Sequence, residues 1–266
     1  MKKLLIVLAL VLGFSLSSAG PDNSRSRIPN AKEVMELLSV ICEPSSRNVE
    51  RASCTPCPDM VSQALDDSLV FSSIMYGHFL SAKETNAIMD VSGCEPHANN
   101  FGGTVILRWL GLTNWEFVRY EAGNRSGDCF KYAARAGHDV RVCRSYWGGM
   151  GFTVEGFALY DDTRKSTGSD ALVRITSNGE QCIEGKLNDF NILKVDRVNI
   201  NRDSRPDLRI QVSERHAQLP KAGECSDKLQ WGPVKKLTLK FLFDGAKFVP
   251  TPTTKPLVKY LNGFKA

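Results

Sequence analysis

The segment Asn199-Ile-Asn201-Arg-Asp203-Ser-Arg205-Pro-Asp207-Leu208 sets short oxygen-bearing side chains at alternating positions, then runs into Arg209-Ile-Gln-Val212. Side-chain oxygens at positions one, three, five and nine of a tight loop can wrap a hard cation such as Ca²⁺. The same residues can also build a turn without metal, because Asn and Asp side chains bond their own backbone two residues on. An EF-hand does not fit. Its twelfth position would be Ile210 rather than Glu, and the flanks read as strands rather than helices.

Other residues invite chemical readings. His97 lies in Cys94-Glu95-Pro-His97-Ala-Asn-Asn-Phe-Gly-Gly103, and a histidine beside Glu95 has the groups for acid–base work, with Asp90 as a third candidate. The four histidines (His78, His97, His138 and His216) form no His-x-x-x-His pair. Cys54-Thr-Pro-Cys57 has redox spacing, but Asn48 to Ser53 does not supply the buried strand that a thioredoxin-like site needs. Gly123-Asn-Arg-Ser-Gly127 places its serine wrongly for a nucleophile elbow. Tyr146-Trp-Gly-Gly-Met-Gly-Phe152 offers aromatic rings for a sugar or peptide, although packing is the commoner fate of such rings.

The start of the chain gives the compartment. Lys2 and Lys3 precede the apolar run Leu4 to Leu12, and Ser17-Ser18-Ala19 supplies a small-residue cleavage site, the pattern of a secretory signal peptide over 1–19. The apolar run is too short to span a bilayer, and no span is expected in the mature chain. Loss of Lys2 and Lys3 takes the net charge from +5 to +3, which gives no concentrated basic tract for nucleic acid. Eight cysteines in an exported chain imply disulfides. Cys129 and Cys143 flank a turn and suit neighbouring strands. Cys42, Cys54, Cys57 and Cys94 form a group able to make two bridges, which leaves Cys182 and Cys225 to pair by elimination.

The elements that must position these residues follow from periodicity. Residues 20–29 are polar and read as a flexible leader. Over 30–67 a disulfide-tied helical segment is expected. Asn30 caps it with Glu33 as capping-box partner, and Val34, Leu37, Leu38 and Ile41 lie on one face. From 68 to 266 the texture is β: Val70–Phe79, Ala87–Val91, Thr104–Trp109, Trp115–Tyr120, Val140–Cys143, Phe152–Tyr160, Ala171–Ile175, Ile192–Ile200, Leu208–Val212 and Leu237–Phe243. The expected fold is mainly β and antiparallel, propeller-like or sandwich-like, with a short N-terminal helical segment. Lys255, Lys259 and Lys265 read as a solvated end. A weak repeat places Asn86, Asp139 and Asp207 each ahead of a short strand, 53 and 68 residues apart.

The loop at 199–208 resembles the calcium-loop motif of FG-GAP/VCBS-type repeats, found in integrin-like β-propellers, which runs Asp-x-Asn-x-Asp-Gly-x-x-Asp-Leu. The resemblance implies Asn199, Asn201, Asp203 and Asp207 as side-chain ligands of calcium and the Arg205 carbonyl as a fifth. Asn199 in place of the first Asp lowers the charge, and Ser204 in place of Gly suits the sharp turn less well. Such modules serve binding and architecture. The expectation is an exported, secreted or periplasmic, non-catalytic protein that binds an envelope or extracellular protein or glycan, stabilised by calcium. The competing expectation is a secreted hydrolase with its site near His97.

Overall fold

The computed structural model describes residues 24–61, 68–94, 102–112, 114–149, 151–164, 169–179, 185–219 and 229–264. These form three antiparallel sheets in which every strand pairs with its neighbour in sequence. The first contains β1 (Arg47–Asn48), β2 (Ser53–Cys54), β3 (Leu69–Gly77), β4 (Asn86–Ser92), β5 (Gly103–Gly111) and β6 (Asn114–Ala122). The second contains β7 (Cys129–Ala133), β8 (Asp139–Gly149), β9 (Phe152–Tyr160) and β10 (Ser169–Ser177). The third contains β11 (Gly185–Val198), β12 (Asp207–Leu219), β13 (Lys235–Phe243) and β14 (Phe248–Pro250). The mainly β, antiparallel architecture expected from the strand pattern is present.

Alternation along the strands stacks the sheets. Phe130, Tyr132, Val140, Val142, Phe157 and Leu159 of the second sheet meet Leu208, Ile210, Val212, Leu239, Phe241 and Phe243 of the third in one core. Met75, Ile88 and Ile106 of the first sheet meet Cys129 and Cys143 of the second in a smaller one. The opposite face of the first sheet is covered by α1 (Ala31–Ile41) through Val34, Leu37 and Leu38. Asn30 accepts from the Glu33 N–H at 3.0 Å while Glu33 accepts from the Asn30 N–H at 2.8 Å, so the capping box is formed. Three disulfides join Cys42 to Cys54, Cys57 to Cys94 and Cys129 to Cys143. Cys182 and Cys225, like the signal segment 1–19, lie outside the described residues.

The three positions of the weak repeat each open a strand. Asn86, Asp139 and Asp207 are the first residues of β4, β8 and β12, the second strand in each run of four (β3–β6, β7–β10 and β11–β14). Each side chain accepts a backbone N–H from a loop between strands: Leu80 for Asn86, His78 for Asp139 and Ile200 for Asp207. Asn86 and Asp207 satisfy donors in the loops that enter their own strands, whereas Asp139 satisfies one in the loop after β3 and so ties the first sheet to the second.

Two local expectations give way. The flexible leader expected over 20–29 is held in place over its described part. Ser26 and Lys131 N–H groups donate to Cys129 and Ser24 carbonyls, and Arg27 exchanges two backbone bonds with Ile74 at 2.9 and 2.8 Å. The cause is open edge: β2 pairs with β3 only at Val70 and Leu69, which leaves the rest of that edge of β3 unpaired. The C-terminal end forms α2 (Thr254–Asn262), with Leu257, Val258, Leu261 and Phe264 packed on the main core. Lys255 and Lys259 do face solvent, but on a docked helix rather than a loose end.

Candidate functional site

The Asx turn of 199–207 is compact, and its side chains bond mainly within it. The Asn199 side-chain amide donates to the Asp203 carbonyl, and the Asn201 amide donates to Asp203 Oδ2 at 2.9 Å. The Arg205 N–H donates to Asp203 Oδ1 at 2.7 Å. Arg202 holds a left-handed φ of 63° at the bend. Asp207 turns inward and is fully buried. Its Oδ2 accepts the Ile200 N–H at 2.8 Å and its Oδ1 accepts the Phe243 N–H at 2.9 Å.

Asn199, Asn201, Asp203, Arg205 and Asp207 are thus brought into one turn, but both carboxylates serve main-chain donors. A cation held by Asn199, Asn201 and Asp203 on the exposed side would have to displace some of these bonds, beside Arg202 and Arg205. The donor set fits a weak oxygen site rather than a tight one. Among the described residues, no group of three or more His, Cys, Asp or Glu side chains is placed to hold a metal ion.

The buried charges serve architecture. Arg141 of β8 is fully buried. It donates to Asp162 Oδ2 and Oδ1 at 2.8 and 2.9 Å and to Glu121 Oε2 at 2.8 Å, with its guanidinium 4.6 Å from the Tyr160 ring centre. Burial opposes its charge, but Asp162 and Glu121 outweigh that and hold its pKa above the ordinary arginine value. This cluster bolts β6 of the first sheet to the second. Asp90, a candidate for acid–base work, is also sequestered. Arg125 grips it at 2.7 and 2.6 Å, and the Ser126 N–H donates to it at 2.8 Å. His97 and Glu95 lie outside the described residues.

Concave surface is found elsewhere. A cleft of about 380 Å³ opens where the second and third sheets meet. Tyr146 of β8 stands at its rim, 62% exposed. Glu155 lies directly opposite on β9, and its Oε1 accepts from Arg144 at 2.7 Å. Across the cleft the register puts Asp189 of β11 opposite Arg215 of β12. Arg215 Nε donates to Asp189 Oδ2 at 2.5 Å, and its guanidinium lies 4.7 Å from the Trp231 ring centre. Asn191 donates to Asp189 Oδ1 at 3.2 Å. A Cβ on Gly179 would come within 3.0 Å of the Trp231 ring, so that glycine lets the indole close the wall.

The arrangement presents an exposed ring, a guanidinium fixed by one edge, and carboxylates that are already ion-paired. A larger hollow of about 630 Å³ lies between the disulfide-tied segment, at Pro44, Pro56 and Pro58, and Phe117 of β6.

Sequence reasoning singled out Tyr146 as part of an aromatic platform. It did not find Glu155, Asp189, Arg215 or Trp231. The signal available was Asp189 and Arg215 on outward positions of two strands, but their pairing depends on a register 26 residues apart. No family model, curated protein or solved structure matches the chain.

Proposed function

We propose that this is an exported, non-catalytic, β-rich protein that binds an extracellular or envelope partner through the Tyr146 cleft. The three disulfides support an oxidising compartment, and the signal-like start supports periplasm or medium as the destination. Of the two partner classes, protein and glycan, the cleft chemistry favours glycan. An exposed tyrosine ring suits the apolar face of a sugar. The carboxylates and Asn191 accept or donate at the hydroxyl rim, and Arg215 retains terminal N–H donors. The volume lies at the small end of the range for ligand pockets, the size of a short glycan segment.

The observation that carries the reading is the mutual pairing of the cleft's charges. Arg144 with Glu155 and Arg215 with Asp189 make a recognition surface of fixed polarity. Ca²⁺ belongs to this proposal as a weak ligand of the turn at Asn199, Asn201 and Asp203, acting on stability at a distance from the cleft. The test is binding of soluble envelope and extracellular oligosaccharide fractions to wild type and Tyr146→Ala. The expected result is saturable binding that weakens about tenfold or more in the variant, as for a stacked anchor residue, with an unchanged melting temperature. Equal binding by both proteins would remove the cleft from the proposal. Shortened oligosaccharide products would mark an enzyme instead.

A further inference from the structure

The β5–β6 hairpin ends in exposed apolar side chains. Leu112 is 96% exposed and Leu110 is 59% exposed. Leu112 holds a left-handed φ of 57° and Gly111 one of 103°, and a Cβ on Gly111 would meet no atom within 4 Å. Among the described residues, the space at the apex, where a Cβ on Gly111 would stand, is therefore open.

Behind it, Trp109 and Trp115 face each other across the strands, with ring centres 4.9 Å apart in an edge-on pair. Behind the tryptophans, Arg108 pairs with Glu84 at 3.3 Å and with Glu116 at 3.2 Å. Arg108 is the last β5 residue in register with β4, opposite Asn86, and the Trp109 N–H still donates to the Thr85 carbonyl at 2.9 Å. The two β5 residues beyond Trp109, at about 3.3 Å each, project the end by roughly 7 Å.

We propose that this hairpin is a lipid-surface anchor whose end enters the interfacial layer of a zwitterionic bilayer. The axial order of leucine, tryptophan and ion pair matches the order of a bilayer's outer layers, in which tryptophan sits at the headgroup level. The projection matches the roughly 5–10 Å to which interfacial segments bury their apolar face. Trp115 is half-buried on the first sheet's core, 5.8 Å from the Tyr76 ring centre, so Leu110 and Leu112 carry the exposed apolar surface that insertion would bury. Two carboxylates stand against one guanidinium at Arg108, so charge does not draw the tip to anionic lipid.

The test uses protein purified from the exported fraction, because the apolar run at the start of the precursor would itself bind lipid. It is sedimented with phosphatidylcholine vesicles at millimolar lipid, and tryptophan emission is recorded. Wild type should co-sediment with a blue shift that salt does not reverse. Leu112→Asn, a residue that tolerates the left-handed turn, should lose about tenfold in partitioning. Leu110→Asp with Leu112→Asp should lose roughly a hundredfold or more, with an unchanged melting temperature because both side chains face solvent. The proposal is overturned if wild type stays in the supernatant, or if the double variant binds equally. Binding confined to phosphatidylglycerol vesicles and abolished by high salt would also overturn it. So would tip-dependent self-association without vesicle binding.

Discussion

Asp207→Ala separates the two readings of the Asx turn. Asp207 is fully buried, and its carboxylate accepts N–H donors from Phe243 at 2.9 Å and Ile200 at 2.8 Å, with Asn201 N–H at 3.4 Å. Truncation orphans the Phe243 N–H in the main core, where a lost partner costs about 1–3 kcal/mol. The Ile200 N–H is only partly buried and recovers some of its loss through water. The hydrogen bonds to a charged acceptor are individually stronger than neutral ones, and the whole comes to about 3–5 kcal/mol. That is a large part of the 5–15 kcal/mol that typically holds a domain together.

Urea unfolding in the presence of chelator is the assay, because the loss should be complete without any metal. Asp203→Ala should behave oppositely. Asp203 sits on the exposed bend and bonds only within the turn, so its loss in chelator should stay within about 1 kcal/mol. If the exposed oxygens take Ca²⁺ weakly, millimolar Ca²⁺ should raise the wild-type melting temperature, and Asp203→Ala should erase that increment. A cost under about 1 kcal/mol for Asp207→Ala in chelator would refute the structural role. So would a cost that appears only when Ca²⁺ is present.

Arg141→Ala should cost about 3–5 kcal/mol, because it leaves Asp162 and Glu121 buried without their partner; denaturant midpoints check this, and a loss below about 1 kcal/mol would contradict the bolt between sheets. Stability should fall as pH drops below about 4.5. Burial works against the Glu33 carboxylate, but Arg27 and the Asn30 N–H outweigh it and hold its pKa below the ordinary value. The unfolded chain therefore takes up the proton first, so the contribution is full above the ordinary value and is lost as pH falls through the folded one. Glu33→Gln should flatten that part of the pH profile of urea midpoints. Thiol titration of the unfolded, unreduced exported protein should find essentially no free thiol, since six cysteines are paired and Cys182 and Cys225 are expected to pair with each other. Reactive thiols at Cys54 and Cys57 would refute the pairing of Cys54 with Cys42 and Cys57 with Cys94.

What the sequence made legible was local. Asn30, Glu33 and the i, i+3, i+4, i+7 stripe specify α1 because a capping box and one apolar face need only neighbours in the chain. Phe152–Tyr160 reads as a strand and forms β9 over those same residues. By contrast, β7 and β14 are short, and Cys129–Ala133 lacks a clean alternation of apolar and polar residues. α2 was hidden because Lys255 and Lys259 read as a solvated end, although Leu257, Val258, Leu261 and Phe264 carry a helical spacing.

The cleft was legible in one residue only, and the reason is physical. Tyr146 stands in a segment whose aromatics and glycines draw attention by type alone. Arg215 gains its meaning from three things no local pattern contains: the register that sets it beside Asp189, the indole of Trp231 beneath it, and the missing Cβ of Gly179 that lets the indole close. The Asx positions show the intermediate case. Asn86, Asp139 and Asp207 were visible as a recurring residue ahead of a strand. Only the fold shows what each carboxylate or amide accepts: Asn86 and Asp207 take an N–H from the loop that enters their own strand, whereas Asp139 takes the His78 N–H from the loop after β3. An acceptor at the start of a strand asks for no oxygens elsewhere in the loop. This accounts for why one turn carries the alternating Asn and Asp series while the other two, Phe79–Asn86 and Ala133–Asp139, do not.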